Sequence, residues 1–152
     1  MSRFDLLNPR PDDWDAEVDA WAILTSAIAE YKPSSVWALF SGGHDSEVAT
    51  HIAARHPAFS GVVHIATGIG IKETRRHVYE TCKAFGWPLV IYRPRADNRY
   101  HAFVLEHGFP GPAQHNRMYQ RLKERSLARH IAQFKTRRHD RVALCVCRPT
   151  IR

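Results

Sequence analysis

Between residues 35 and 56 the chain changes character twice, and this stretch constrains its fold more than any other. Ser35-Val36-Trp37-Ala38-Leu39-Phe40 is a continuous apolar run rich in strand formers, the pattern of a strand buried on both faces of a parallel sheet. It stops at Ser41-Gly42-Gly43, and helical spacing takes over through Val48, Ala49, Ile52 and Ala53 until His56-Pro57. Glycines at such a turn let the backbone bend sharply and bring its N–H groups close to an anion. The helix that follows contributes the positive end of its dipole and its free first-turn amides. Ser41 and Ser46 add hydroxyl donors, and His44 is placed to touch a phosphate. Asp45, which repels phosphate, reads as the N-cap of the helix or as a magnesium partner.

The same alternation continues downstream. Gly61 to Ala66 is a second strand, followed by Thr67-Gly68 and a helix over about 73–85 that Gly86-Trp87-Pro88 breaks. Leu89 to Tyr92 is a third strand, ended by Arg93-Pro94. Residues 95–116 read as loop around Gly108-Phe109-Pro110-Gly111-Pro112, then a basic helix runs from about 115 to 135, and Arg141 to Val146 is a fourth strand. Upstream, Trp14, Val18, Trp21, Leu24, Ile28 and Tyr31 recur at steps of three and four. They form one face of an amphipathic helix whose tryptophans pack the core, capped by Asp12 or Asp13 and ended near Lys32-Pro33. Strand and helix alternating with short loops imply an α/β fold, a parallel sheet in a three-layer α/β/α sandwich with right-handed crossovers. The expected organisation is one nucleotide-binding domain over 1–152, with a helical lead-in at 1–33 and a core at 35–144. Ligands of open α/β sheets sit beyond the carboxyl ends of the strands, where Ser41 to Ser46 falls.

Charge sharpens the ligand class. The formal net charge is +7, which suits a nucleotide, a nucleic acid or another phosphate ester. Arg117, Arg121, Lys123, Arg125, Arg129, Lys135, Arg137, Arg138 and Arg141 face only Glu124 and Asp140 across the same stretch, an anion-facing surface in the C-terminal third. No apolar run approaches the ~20 residues of a membrane span, and the N-terminus lacks the layout of a secretory signal. Three cysteines, an odd number, favour a reducing compartment, so the cytoplasm is expected. The histidines, His101, His107 and His115 among them, show no H-x-x-x-H spacing, so no zinc cluster is expected. A Walker loop is absent, and Gly68-Ile69-Gly70 fails as a dinucleotide fingerprint because Glu73 holds the third glycine position. A homodimer through the N-terminal helix or the sheet edge is compatible with this pattern.

Two segments carry a family resemblance. Ser41-Gly42-Gly43-His44-Asp45-Ser46 resembles the S-G-G-x-D-S loop of the PP-loop ATP pyrophosphatase (adenine nucleotide alpha hydrolase-like) superfamily. Thr67-Gly68-Ile69-Gly70-Ile71-Lys72-Glu73-Thr74 resembles the T-G-x-x-x-x-E-T segment of its phosphoadenosine phosphosulfate (PAPS) reductase branch, a branch of sulfur metabolism. Met118 to Lys123 stands where that branch has a segment ending in a functional lysine. The resemblance implies that the loop grips the pyrophosphate of ATP or the phosphosulfate of PAPS. Backbone groups near Phe40 and Ile65 would hold the adenine, and Thr67, Gly68 and Glu73 would shape the ribose and phosphate side. Lys123, with Arg117 and Arg121, would neutralise charge on the transferred group. With ATP the implied reaction is cleavage between the α and β phosphates with adenylylation, and Mg2+ bridging the phosphates through Asp45. With PAPS it is reduction by a cysteine nucleophile, served by a thioredoxin-like reductant.

The chain departs from that pattern at its end. Cys145-Val146-Cys147 matches no arrangement of the family, and Cys147, with Arg148 beside it to lower its pKa, is the weak candidate for the nucleophile. Cys82 falls within a helix, where burial is expected. Met118 and Tyr119 stand where some members carry cluster-binding cysteines, so no iron–sulfur cluster is expected. After Leu144 the family continues with G-x-R-x-x-E-S, whereas this chain reads Cys145-Val146-Cys147-Arg148-Pro149-Thr150-Ile151-Arg152. That reads as a compact, shortened or frame-altered C-terminus, which would cost the site an arginine and an acid. The missing redox cysteine tilts the expectation toward ATP pyrophosphatase chemistry. The competing reading is a non-catalytic nucleotide- or nucleic-acid-binding module that uses the basic 117–141 segment.

Overall fold

The computed structural model describes residues 15–96, 99–135, 137 and 139–147. Helix α1 (Ala16–Tyr31) leads into β1 (Ser35–Leu39), α2 (His44–Ala54), β2 (Phe59–Ile65), α3 (Lys72–Ala84) and β3 (Leu89–Tyr92). Then come α4 (Tyr100–His107), a 3-10 turn (Pro112–Gln114), α5 (His115–Tyr119), a π turn (Gln120–Glu124), α6 (Arg125–Phe134) and β4 (Val142–Cys145). The four strands form one parallel sheet in the order β3-β2-β1-β4, with helices on both sides. The chain steps from β1 out to β3, then returns to lay β4 on the other flank of β1, pairing Ser35 with Val142 and Ala38 with Cys145. The strand order therefore reverses between β1 and β4, the position where loops diverge and open a crevice.

Alternation along the strands assigns the faces. On one, Phe40, Val62, Val78 and Cys82 form a buried cluster against α3, with Phe59, Trp87 and Leu89 around it. On the other, Trp37 meets α6: its ring lies 4.9 Å from His130 and 4.4 Å from Phe134, and Tyr92 lies 5.1 Å from His130. Gly61, opposite Trp37 in the register, makes room for that indole. A Cβ there would stand 2.8 Å from Trp37 Cζ3 and 2.6 Å from the Pro88 carbonyl, at a φ of +149°.

Three sequence expectations need correction. Helix α1 is capped by Asp15, whose Oδ1 accepts from the amides of Glu17 and Val18 at 2.9 and 3.2 Å; Trp14 and the expected caps Asp12 and Asp13 lie outside the described residues. No residue of α1 is buried, because the helix rests on α2 rather than on the sheet. Trp21 touches His56 there and Glu17 pairs with Arg55, while Val18 and Tyr31 face outward. The supposed loop 95–116 contains α4, anchored by Phe103, which is wholly buried against Met118 and Leu122. A lone eight-residue helix is unstable in water, so this one forms through that tertiary contact. Finally, the basic helix over 115–135 is interrupted by the π turn, in which the helix widens by one residue.

Candidate functional site

The loop after β1 is held by its own serines. The Ser46 hydroxyl donates to the Gly43 carbonyl at 2.7 Å and accepts from the Ser41 amide at 3.2 Å. Because that proton is committed, the Ser41 hydroxyl is the donor in the 2.9 Å contact between the two side chains, and the Gly43 amide donates to Ser41 Oγ at 3.4 Å. Gly43 occupies the N-cap position of α2 without any side-chain cap, so the first-turn amides point out of the helix end. This corrects the reading of Asp45 as the cap: it sits inside the first turn. Gly42 has φ +89° and is pressed onto α3, where a Cβ would lie 2.6 Å from Thr74 Cγ2. His77 Nε2 and Glu47 Oε2, 3.1 Å apart, tie α3 to α2 alongside.

Two recesses meet at this loop, and Ser41 lines both. The smaller, about 310 Å³, is bounded by Ser41, Gly43, His44, Asp45, Ser46 and Cys147. Cys147 arrives there because β4 runs beside β1, so the residues after the two strands share one end of the sheet. The larger is a cleft of about 870 Å³. Its apolar wall comes from the ends of β1 and β2, with Leu39, Phe40, Val63, His64 and Ile65. Thr67 and Gly68 continue the lining, and Lys72, Arg75, Arg93, Arg99 and Lys123 supply positive charge against a single carboxylate, Glu124. The π turn presents Lys123 to the cleft, with its Nζ 5.6 Å from the Tyr119 ring centre.

Of the residues read from sequence, the structure brings Phe40, Ser41, Ile65, Thr67, Gly68 and Lys123 to one cleft, and His44, Asp45 and Ser46 to the adjoining recess. Others stand apart. Arg117 and Arg121 stack on Phe103, with guanidinium carbons 5.6 and 5.5 Å from its ring centre, and neither lines the cleft. Glu73 is exposed in the first turn of α3 and faces neither recess. The Phe40 backbone is already occupied: its amide donates to Val63 at 3.0 Å and its carbonyl accepts from His64 Nδ1 at 2.8 Å. Cys82 is buried, and burial pushes its thiol up to about 11; burial raises Cys145 too. Cys147 is the exposed thiol, while Arg148 beside it lies outside the described residues. The sequence reading missed His64, Arg75, Arg93, Arg99 and His101 as cleft residues. Only Arg93 carried a signal, since it directly follows the carboxyl end of β3. Among the described residues no three His, Cys, Asp or Glu side chains gather to hold a metal ion, and no helix is long and apolar enough to cross a membrane.

Comparison with known proteins agrees with this fold. The model of the phosphoadenosine phosphosulfate reductase domain matches residues 35–141. The chain belongs to that family. Membership places it with the PAPS-reductase-like, nucleotide-binding proteins. Among solved structures it is similar in fold to a phosphoadenylyl-sulfate (PAPS) reductase from Candida auris in a phosphate complex, at 18% identity and a TM-score of 0.53. That alignment covers 88% of this chain and 64% of the other, so this chain spans under two thirds of the length of that reductase. No curated protein matches the sequence.

Proposed function

We propose that residues 1–152 act as one PP-loop domain that binds an adenine nucleotide, ATP or PAPS, and acts at its phosphate or phosphosulfate end. The observation that carries this reading is the junction at Ser41. A cleft with an apolar wall and five lysines or arginines opens directly onto a glycine turn at a helix N-terminus. The base suits the apolar wall, the charged side chains suit the phosphates, and the Ser41–Ser46 loop suits the terminal group. With ATP as ligand, Asp45 is the carboxylate in the recess, and one carboxylate with phosphate oxygens and water fits Mg2+.

Two reactions suit such a ligand. In one, ATP is cleaved between the α and β phosphates and an acceptor is adenylylated. In the other, a cysteine thiolate attacks the sulfonyl sulfur of PAPS and adenosine 3′,5′-bisphosphate leaves; a thioredoxin-like dithiol then releases sulfite and is oxidised to its disulfide. The position of Cys147 beside Ser41 and His44 favours the second reaction more than its place in the sequence does. A thioredoxin-coupled assay with PAPS decides it. Sulfite release that Cys147→Ser abolishes supports reduction, whereas pyrophosphate release from ATP that survives Cys147→Ser supports adenylylation. Titration of ATP and of an oligonucleotide at two salt concentrations tests the rival nucleic-acid reading. Polyanion binding falls steeply with salt, and loss of both ligands together would favour that rival.

A further inference from the structure

We infer that His64 selects the base of the bound nucleotide, accepting a hydrogen bond from the exocyclic amino group of a 6-aminopurine. The inference rests on the nucleotide reading above. It starts from the Phe40 carbonyl, which lies 2.8 Å from His64 Nδ1. A carbonyl only accepts, so Nδ1 carries the proton, and the neutral ring is left with a lone pair on Nε2. The ring is held in place, being 7% exposed at the end of β2. Unlike both nitrogens of His130, which are buried without partners, His64 Nε2 is not sealed from solvent. His64 lines the cleft within its apolar wall, between Val63 and Ile65.

Both backbone groups of Phe40 are engaged within the sheet and with His64, so Phe40 has no amide to offer an edge of adenine. Among Leu39, Phe40, Val63, His64 and Ile65, the side chain that can accept a hydrogen bond is that of His64. A 6-aminopurine brings an N–H to it; a 6-oxopurine brings a carbonyl lone pair, which repels it and leaves two acceptors facing each other. Unpaired buried polar groups weaken binding by roughly ten- to a hundredfold, so the wild-type chain is expected to prefer ATP over inosine triphosphate by that ratio. The same hydrogen bond gives His64 a second effect, because it fixes the carbonyl that immediately precedes Ser41 and so positions the entry to the phosphate loop.

Two substitutions separate these effects. Asparagine at this position places its amide nitrogen near the site of Nδ1, so His64→Asn keeps the bond to Phe40 and loses the acceptor; His64→Gln does the reverse. Calorimetric titration uses ATP and adenosine 3′,5′-bisphosphate against their inosine counterparts, with pyrophosphate as a probe of the loop alone. The expected result is that His64→Asn reduces the adenine-to-inosine ratio roughly tenfold or more and leaves pyrophosphate binding unchanged. An unchanged ratio in His64→Asn, with adenine nucleotides still bound, overturns the assignment of His64 alone. A wild-type chain that binds none of the nucleotides overturns the nucleotide reading itself. Should the variants fail to fold, two-bond 15N–1H spectra of the wild-type imidazole report directly. A proton on Nδ1, with Nε2 shifting on addition of ATP and not of inosine triphosphate, supports the assignment, and a proton on Nε2 sinks it.

Discussion

Replacement of Gly42 by alanine tests whether the Ser41–Ser46 loop depends on its contact with α3. The backbone there has φ +89°, a region that costs a non-glycine residue about 1–3 kcal/mol. The added Cβ would also stand 2.6 Å from Thr74 Cγ2 and 3.1 Å from Val78 Cγ2, against an ordinary carbon–carbon contact of about 3.5–4.0 Å. Val78 is wholly buried in the cluster with Phe40 and Val62 and has nowhere to go. The loop or the first turns of α3 must therefore shift by about 1 Å, and overpacking of this kind costs about 1–3 kcal/mol. Together the two effects destabilise Gly42→Ala by about 2–6 kcal/mol. With a urea m-value near 2 kcal/mol/M, the midpoint falls by about 1–3 M. A double-mutant cycle then separates strain from collision. Thr74→Ser deletes the colliding methyl and leaves the backbone strain in place. Gly42→Ala with Thr74→Ser should recover about 1–2 kcal/mol relative to the sum of the single changes. Strict additivity, or a Gly42→Ala midpoint within error of wild type, would refute the reasoning.

Four further outcomes follow from the packing. Lys123→Met should weaken nucleotide binding roughly five- to fiftyfold with little change in stability, because Lys123 lines the cleft. Arg121→Met should do the opposite, costing about 0.5–2 kcal/mol through its lost contact with Phe103; paired titration and urea curves check both. His130 is buried with both ring nitrogens unpartnered, and burial lowers its pKa from the usual value. The unfolded chain therefore holds this proton more tightly, and stability present above about pH 6.5 is lost as pH falls toward the depressed folded pKa. His130→Leu should raise stability by about 1–2 kcal/mol at pH 6 and flatten the acid side of the pH–Tm curve; a parallel curve would count against it. Iodoacetamide should label exposed Cys147 before Cys82 and Cys145, whose thiols burial holds protonated. Pyrophosphate should slow that labelling, and mass spectrometry reads both effects.

The parts of this fold that were legible in sequence are those that local chemistry decides. The change of period from Phe40 to Val48, punctuated by two glycines, located β1, the loop and α2 to within two residues. Leu89 to Tyr92 is a strand as read, because Pro88 and Pro94 bracket it. Helix α4 was hidden because its flanks, Arg99 and Gly108, provide no side-chain cap. Its single wholly buried side chain, Phe103, gives no periodicity. That omission also hid the basic residues Arg99 and His101, which reach the cleft from α4 and its start. The position of Cys147 was illegible for a different reason. Its neighbours in sequence are those of an ordinary strand end, and only the placement of β4 against β1 sets it beside the Ser41–Ser46 loop.

The basic stretch from Arg117 onward shows where sequence reasoning had the means to do better. An α-helix turns about 100° per residue, so Arg117 and Arg121, four apart, share a face. Lys123 lies about 200° beyond Arg121 on that geometry, nearly opposite, and shares its face instead with Tyr119 and Leu127. The structure divides them along those lines, with Arg117 and Arg121 over Phe103, and Tyr119, Lys123 and Leu127 at the cleft. Charge counted along the chain merged two faces that periodicity separates. The π turn at Gln120–Glu124 contains both Arg121 and Lys123, with Tyr119 just before it. It adds Glu124 to the same rim, five residues after Tyr119, a position that an unbroken α-helix would carry about 140° away from it. The widened turn thus accounts for the one carboxylate in an otherwise cationic cleft, which neither charge counting nor regular helical periodicity places there.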